Sequence, residues 1–146
     1  STTGAFEAVT GKGVTGEVEG QQVALGNAAL MEALGLDTTA LAATANARRD
    51  QGETVMFVAI AGAVAGLVSV ADPVKDTTAT ALAALHELGL RIIMATGDSH
   101  RTARAVAERL KIDDVRADVL PDEKARIIRE LQAQGSKVAM AGDGVN

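Results

Sequence analysis

Three stretches of this sequence place polar or charged residues directly after short apolar runs, where they could handle a phosphate group. Arg91 to Leu110 reads RIIMATGDSHRTARAVAERL: Ile92, Ile93 and Met94 lead into Thr96-Gly97-Asp98. Ala103, Val106, Ala107 and Leu110 then recur at the spacing of one helix face. This pattern predicts a buried strand, a polar turn and an amphipathic helix. In an open parallel sheet such a turn sits at the strand's carboxyl end, where ligands bind. Thr96 offers a hydroxyl there, Gly97 permits close backbone approach, and a helix beginning near Ser99 points free N–H groups at an anion.

Met140-Ala141-Gly142-Asp143-Gly144-Val145-Asn146 repeats the plan with a carboxylate. Turns after neighbouring parallel strands share one edge, so Asp143 is expected near Thr96 and Gly97. There it is placed to hold Mg²⁺, a hard ion that takes a few carboxylates and leaves positions for phosphate oxygens. Asp-Gly is equally an ordinary turn pair. Lys124, in Pro121-Asp122-Glu123-Lys124, is expected in the first turn of a helix leaving the same edge. A cation there opposes the helix dipole, and an anion in front of it would compensate; the alternative is a solvated surface lysine.

The elements that must position these residues fall into two groups. Phe6 to Val9, Val14 to Val18 and Gln22 to Leu25 predict a small antiparallel meander, broken at Gly11-Lys12-Gly13 and Glu19-Gly20. Asn27 is expected to cap a helix to about Leu34, with a second helix over Thr39 to Gln51. Val55 to Ala71 is uncharged and close to the length of a membrane span, about 20 residues. Gly62, Gly66 and frequent Val favour two consecutive buried strands, the first completing the small sheet and the second leading out of it. From Asp72 the pattern alternates. A strand to Ala71 is followed by a helix over 77–88 with Leu82, Leu85 and Leu88 inward, a strand over 91–95 and a helix over 99–110. A strand over 115–118, a helix over 122–134 and a strand from Lys137 to Ala141 complete it. Repeated β-α-β units predict an α/β parallel sheet of Rossmann type beside a small α+β lobe, with the boundary at 68/69.

Composition narrows the function. The chain has 146 residues, 47% hydrophobic, with two Phe and neither Tyr nor Trp, so the core is aliphatic and base stacking on aromatics is not expected. A net charge of −5 argues against nucleic acid as the partner. The absence of Cys leaves no disulfide framework and no thiolate metal site.

Taken in order and joined by helices, Thr96-Gly97-Asp98, Pro121-Asp122-Glu123-Lys124 and Gly142-Asp143-Gly144-Val145-Asn146 resemble the phosphorylation domain of P-type cation-transporting ATPases, within the haloacid dehalogenase-like superfamily. Asp72-Pro73-Val74-Lys75 looks like the hinge by which that domain is re-entered from the nucleotide-binding domain. Gly11-Lys12-Gly13-Val14 and Val23-Ala24-Leu25-Gly26-Asn27 are similar to the nucleotide-binding domain of the heavy-metal subclass, most closely the bacterial copper(I) exporters. The resemblance implies that Gly11, Gly13, Gly26 and Asn27 line an ATP cleft; on the residues alone the glycines read as turn glycines. It further implies that Thr96 and Gly97 contact the transferred phosphoryl group and that Asp98 orders that loop and the nucleotide. Lys124 would neutralise phosphate oxygens, Asp143 would ligate Mg²⁺, and Asn146 would support the phosphate site. Phosphoryl transfer needs positioning and charge neutralisation above all, which fits such a set.

The sequence departs from that family in ways that matter. The family's nucleophile, an Asp in an Asp-Lys-Thr-Gly motif, does not occur here, and neither His86 nor His100 stands where the heavy-metal subclass has its adenine-contacting His. The expectation is a soluble, inactive piece of a longer membrane pump, from its cytoplasmic side, whose partners are ATP and the rest of its own polypeptide. A soluble phosphatase of the same superfamily and a non-catalytic nucleotide-binding module are the alternatives.

Overall fold

A computed structural model describes residues 6–71 and 74–142. Asp72, Pro73, Asp143 and Asn146 lie outside the described residues.

The first lobe is a five-stranded antiparallel meander in chain order: β1 (Glu7–Val9), β2 (Gly13–Val18), β3 (Gln21–Gly26), β4 (Thr54–Ile60) and β5 (Ala63–Val70). Glu19-Gly20 and Ala61-Gly62 join β2 to β3 and β4 to β5. All four residues have positive φ, the primed geometry whose twist matches that of the flanking strands. Between β3 and β4 the chain forms α1 (Ala28–Ala33), a 3₁₀ turn at Thr39–Leu41 and α2 (Ala42–Arg49). Alternation along β4 turns Val55, Phe57 and Ala59 inward, where they pack with Ala24, Leu30, Met31 and Ala45. The long uncharged stretch is therefore a hairpin, and among the described residues no helix is long and apolar enough to cross a membrane.

β5 corrects one expectation. Instead of leading out to the second lobe, it pairs with β4 along its length, from Thr54 opposite Val70 to Ile60 opposite Ala63, and forms the edge of the sheet. A two-residue primed turn leaves the returning strand no course but back along its partner.

The second lobe comprises α3 (Asp76–Glu87), β6 (Ile93–Ala95), α4 (His100–Leu110), β7 (Asp114–Arg116) and α5 (Pro121–Ala133). β6 and β7 pair in parallel, with α4 as the crossover, so the β-α-β unit is present. The wide parallel sheet is not: among the described residues it has two strands, and 137–142 form none. This explains a second difference. Leu82 on α3 is half-buried, but Leu85 is 38% and Leu88 75% exposed. A helix buries its apolar stripe only against a surface broad enough to reach beneath it, and a ladder three residues long is not. Met140, 46% exposed, lacks a covering neighbour for the same reason.

Candidate functional site

Thr96-Gly97-Asp98 is held from below by the segment after β7. The Thr96 N–H donates to the Arg116 carbonyl (2.9 Å), the Val119 N–H to the Thr96 carbonyl (2.9 Å) and the Asp118 N–H to the Asp98 carbonyl (2.8 Å). The turn also closes on itself, since Asp98 N–H donates to the Thr96 hydroxyl and that hydroxyl donates to Asp98 Oδ2, both at 3.1 Å. Ser99 then caps α4 by accepting from the Thr102 N–H. Apolar Ile93 and Met94 thus end in a loop whose polar groups are already ordered.

On the other lobe, the glycines allow two backbone segments to cross almost in contact. A Cβ on Gly13, whose φ is +148°, would lie 2.2 Å from the Leu25 carbonyl oxygen, and one on Gly26 would lie 2.3 Å from that of Lys12. Only glycine fits either position. Asn27 ties the crossing to α1: its side-chain nitrogen donates to the Gly11 carbonyl (2.9 Å), and its Oδ1 accepts from the Leu30 N–H (3.0 Å). Gly11 is packed under Leu120, whose Cδ2 lies 2.6 Å from where its Cβ would be.

Three contacts close the lobes on each other. The Thr54 hydroxyl, at the start of β4, donates to Asp98 Oδ1 (2.8 Å). The buried Thr102 hydroxyl donates to the Glu53 carbonyl (2.9 Å), and Arg101 Nη1 reaches both oxygens of Asp50 (2.8 and 3.0 Å). Between them lies a cleft of about 200 Å³, with Lys12, Gly13, Gly26 and Asn27 on one side and Gly97, Asp98, Ser99 and Asp118 on the other. Arg49, Thr54 and Thr102 complete its polar lining. Burial pushes the Arg49 guanidinium below its ordinary value; the Arg101 charge adds to this and Asp118 opposes it.

The expected site residues therefore divide. Gly13, Gly26, Asn27, Gly97 and Asp98 share one cleft, with Thr96 directly behind it and Gly11 fastened beside it. Lys124 is half-buried, and α5 begins one residue earlier than expected because Pro121 takes its first position. Asp122 and Glu123 fill the first turn, as the dipole prefers, with the Glu123 carboxylate accepting from the Leu120 N–H (3.0 Å). Lys124 opens the second turn, so its position there no longer requires an anion. Lys75 precedes α3, its carbonyl accepting from the Thr78 N–H. Arg49, Thr54, Thr102 and Asp118 also line the cleft and are not among the residues the sequence points to. Arg49 looks like a dipole-matching cation at a helix end, and nothing in its neighbours marks Asp118, which adopts φ +54°.

No group of three or more Asp, Glu, His or Cys side chains that could hold a metal occurs among the described residues. Mg²⁺ needs only one or two carboxylates when phosphate oxygens supply the rest, and the carboxylate expected to provide this, Asp143, is outside them.

Residues 3–146 match the haloacid dehalogenase-like hydrolase model. The chain belongs to the haloacid dehalogenase-like hydrolase family. Within that family it is 60% identical over 141 residues to a copper-transporting P-type ATPase of Rhizobium leguminosarum bv. viciae, covering 97% of this chain and 17% of the relative. A silver exporting P-type ATPase of Salmonella typhimurium is 50% identical over 141 residues, again with 97% of this chain and 17% of the relative covered. The chain thus spans 17% of the length of these two relatives. Among solved structures, a zinc-transporting PIB-type ATPase in an E2.Pi state is similar at TM-score 0.54 and 30% identity, over 99% of this chain and 23% of that one. The catalytic domain of the CPx-ATPase CopB-B shares the fold at TM-score 0.64 and 24% identity, over 98% of this chain and 48% of that one.

Proposed function

We propose that this haloacid dehalogenase-like chain is the nucleotide-binding and phosphorylation portion of a heavy-metal-translocating P-type ATPase, a copper(I) exporter, facing the cytoplasm from a membrane-embedded polypeptide. Residues 1–68 would belong to the nucleotide-binding domain and 69–146 to the phosphorylation domain, hinged at Asp72, Pro73 and Lys75. The observation that carries this reading is the cleft, which sets the glycine crossing of one lobe against the Thr96-Gly97-Asp98 turn of the other. Such a cleft suits a ligand with a base at one end and transferable phosphate at the other.

The chain's own residues would act by placement. Gly13 and Gly26 let the two backbone segments cross closely enough to form that wall, and the N-terminus of α4, which Ser99 brings to the cleft, would receive the phosphate end. Thr96 and Gly97 would meet the transferred phosphoryl group, Asp98 would hold the loop through Thr54 and Thr96, and Lys124 and Asn146 would support phosphate oxygens. Mg²⁺ on Asp143 would supply neutralising charge as negative charge develops in transfer. The accepting carboxylate would be the Asp of an Asp-Lys-Thr-Gly motif elsewhere in the pump.

MgATP should bind the chain without turnover, and p-nitrophenyl phosphate should not be hydrolysed. Sustained release of p-nitrophenol would favour the phosphatase reading. In an intact pump carrying this sequence, Lys124→Ala should lower copper-dependent phosphoenzyme by on the order of 10²–10³, the cost of one lost charge-stabilising donor. Undiminished phosphoenzyme would refute the role given to Lys124.

A further inference from the structure

Two arginines end α2 and are used differently. Arg48 points away to pair with Glu53 (3.5 Å) and already complements the helix dipole. Arg49 lines the cleft. Its guanidinium carbon stands 5.8 Å from the centroid of the Phe57 ring, and Phe57 is 2% exposed, so the cation rests on a platform that the core holds still. One nitrogen donates to Asn46 Oδ1 at 3.3 Å.

Little else engages it. Among the described residues Arg49 makes no ion pair, whereas Arg48, its neighbour on the same helix end, and Arg101, beside the same cleft, each have a carboxylate within 4 Å. A guanidinium has five N–H donors in a planar fork, and here one is used, at long range. Holding such a group partly out of water beside a second cation, Arg101, is unfavourable, and the charge of Asp118 offsets this only in part, so a further anion would complete it. The surroundings fit a phosphate: Lys12 brings another positive charge, and half-buried Gly13 brings backbone to the same wall. The facing wall carries two carboxylates: Asp98 is already occupied by the hydroxyls of Thr54 and Thr96, and Asp118 acts on Arg49 through its charge but forms no ion pair with it among the described residues.

We propose that Arg49 is a phosphate-binding residue of this cleft, whose fork takes oxygens of the nucleotide's phosphate chain from the side opposite the Thr96-Gly97-Asp98 turn. The inference rests on the nucleotide-binding reading given above and adds to it a residue that no motif marked. Arg rather than Lys is suited to the position because a flat guanidinium can stack on Phe57 and still present two parallel donors to phosphate oxygens.

The test is calorimetric titration of the 146-residue chain with MgATP, inorganic tripolyphosphate and adenosine, for the wild type, Arg49→Gln and Arg49→Lys. Amide spectra of β4 check that each variant keeps its fold. Arg49→Gln should weaken MgATP and tripolyphosphate by on the order of 10- to 100-fold, the range for losing charged hydrogen bonds, and leave adenosine unchanged. Arg49→Lys, which keeps the charge and loses the fork, should fall between. If wild type binds neither ATP nor tripolyphosphate, the nucleotide-binding reading fails, and this inference with it. If wild type binds both and Arg49→Gln binds them equally well, the role of Arg49 alone is overturned. Equal losses for adenosine and ATP would likewise overturn it, by making Arg49 a support for the cleft and not a phosphate contact.

Discussion

Replacing Gly13 by Ala tests the glycine crossing at the point where the backbone is least forgiving. The φ of +148° is a conformation that L residues rarely adopt, and holding Ala there costs on the order of 1–3 kcal/mol. The new methyl would also meet the Leu25 carbonyl oxygen at 2.2 Å and the Gly26 Cα at 2.5 Å, backbone atoms that cannot rotate away. Overpacking of that kind costs a further ~1–3 kcal/mol. Ala restricts the unfolded chain and so returns ~0.4–1 kcal/mol. The net loss is about 3 kcal/mol, a large share of a typical total stability of roughly 5–15 kcal/mol. Because the chain has no Trp or Tyr, unfolding is followed by far-ultraviolet circular dichroism in urea. With an m-value of about 2 kcal/mol per M, the midpoint should fall by about 1.5 M. Gly66→Ala is the control: nothing lies within 4 Å of its Cβ position and its φ is ordinary, so it should be neutral or stabilising by about 0.5 kcal/mol. Similar midpoints for the two variants would refute the reasoning, because they share a chemistry and differ only in surroundings.

Further outcomes follow from contacts around the cleft and from the Asp113 cluster beside Ile92, just before β6. Thr54→Val keeps the side-chain volume but removes the hydroxyl that donates to Asp98 Oδ1 across the lobes, and should cost about 1.5 kcal/mol in urea unfolding. Arg101→Ala breaks an ion pair whose side chains are both about half exposed. It should therefore cost less than about 1 kcal/mol, and less still at high salt. Asp113 is held below the usual carboxylate range, first by accepting the Ile92 N–H and then by His86. A depressed folded pKa contributes stability above the unfolded value, 3.8, that is lost as pH falls through the folded one. Asp113→Asn should therefore lower the urea midpoint at pH 7 and flatten its decline below about pH 4; an unchanged acid limb would contradict this.

Local chemistry made much of the first lobe legible from the sequence. Gly62, Gly66 and the frequency of Val point to a hairpin over a length close to that of a membrane helix, and the structure adds the alternating burial of Val55, Phe57 and Ala59. Asn27 announces the start of α1 because its side chain can satisfy a free N–H there. The second lobe was legible element by element but not as an assembly. Val138 and Met140 have the residues of a strand, yet a strand exists only when neighbours offer hydrogen bonds, and no local pattern reports whether they do. The helical spacing of Leu85 and Leu88 is real, but it calls for a surface that the two-stranded ladder does not provide. At the site, Thr96, Gly97 and Asp98 stand out because a turn must follow an apolar strand. Thr54 and Asp118 reach the cleft from far away in sequence and leave no local trace. Arg49 was hidden because its place at a helix end has a sufficient explanation without any ligand.

The most direct measurement is a backbone amide titration of the isotope-labelled chain with MgATP. Shifts should appear together, with one dissociation constant, at Gly13, Gly26 and Asn27 of one lobe and at Gly97, Asp98 and Ser99 of the other. Shifts confined to a single lobe, or scattered away from these six residues, would contradict the placement of nucleotide between them.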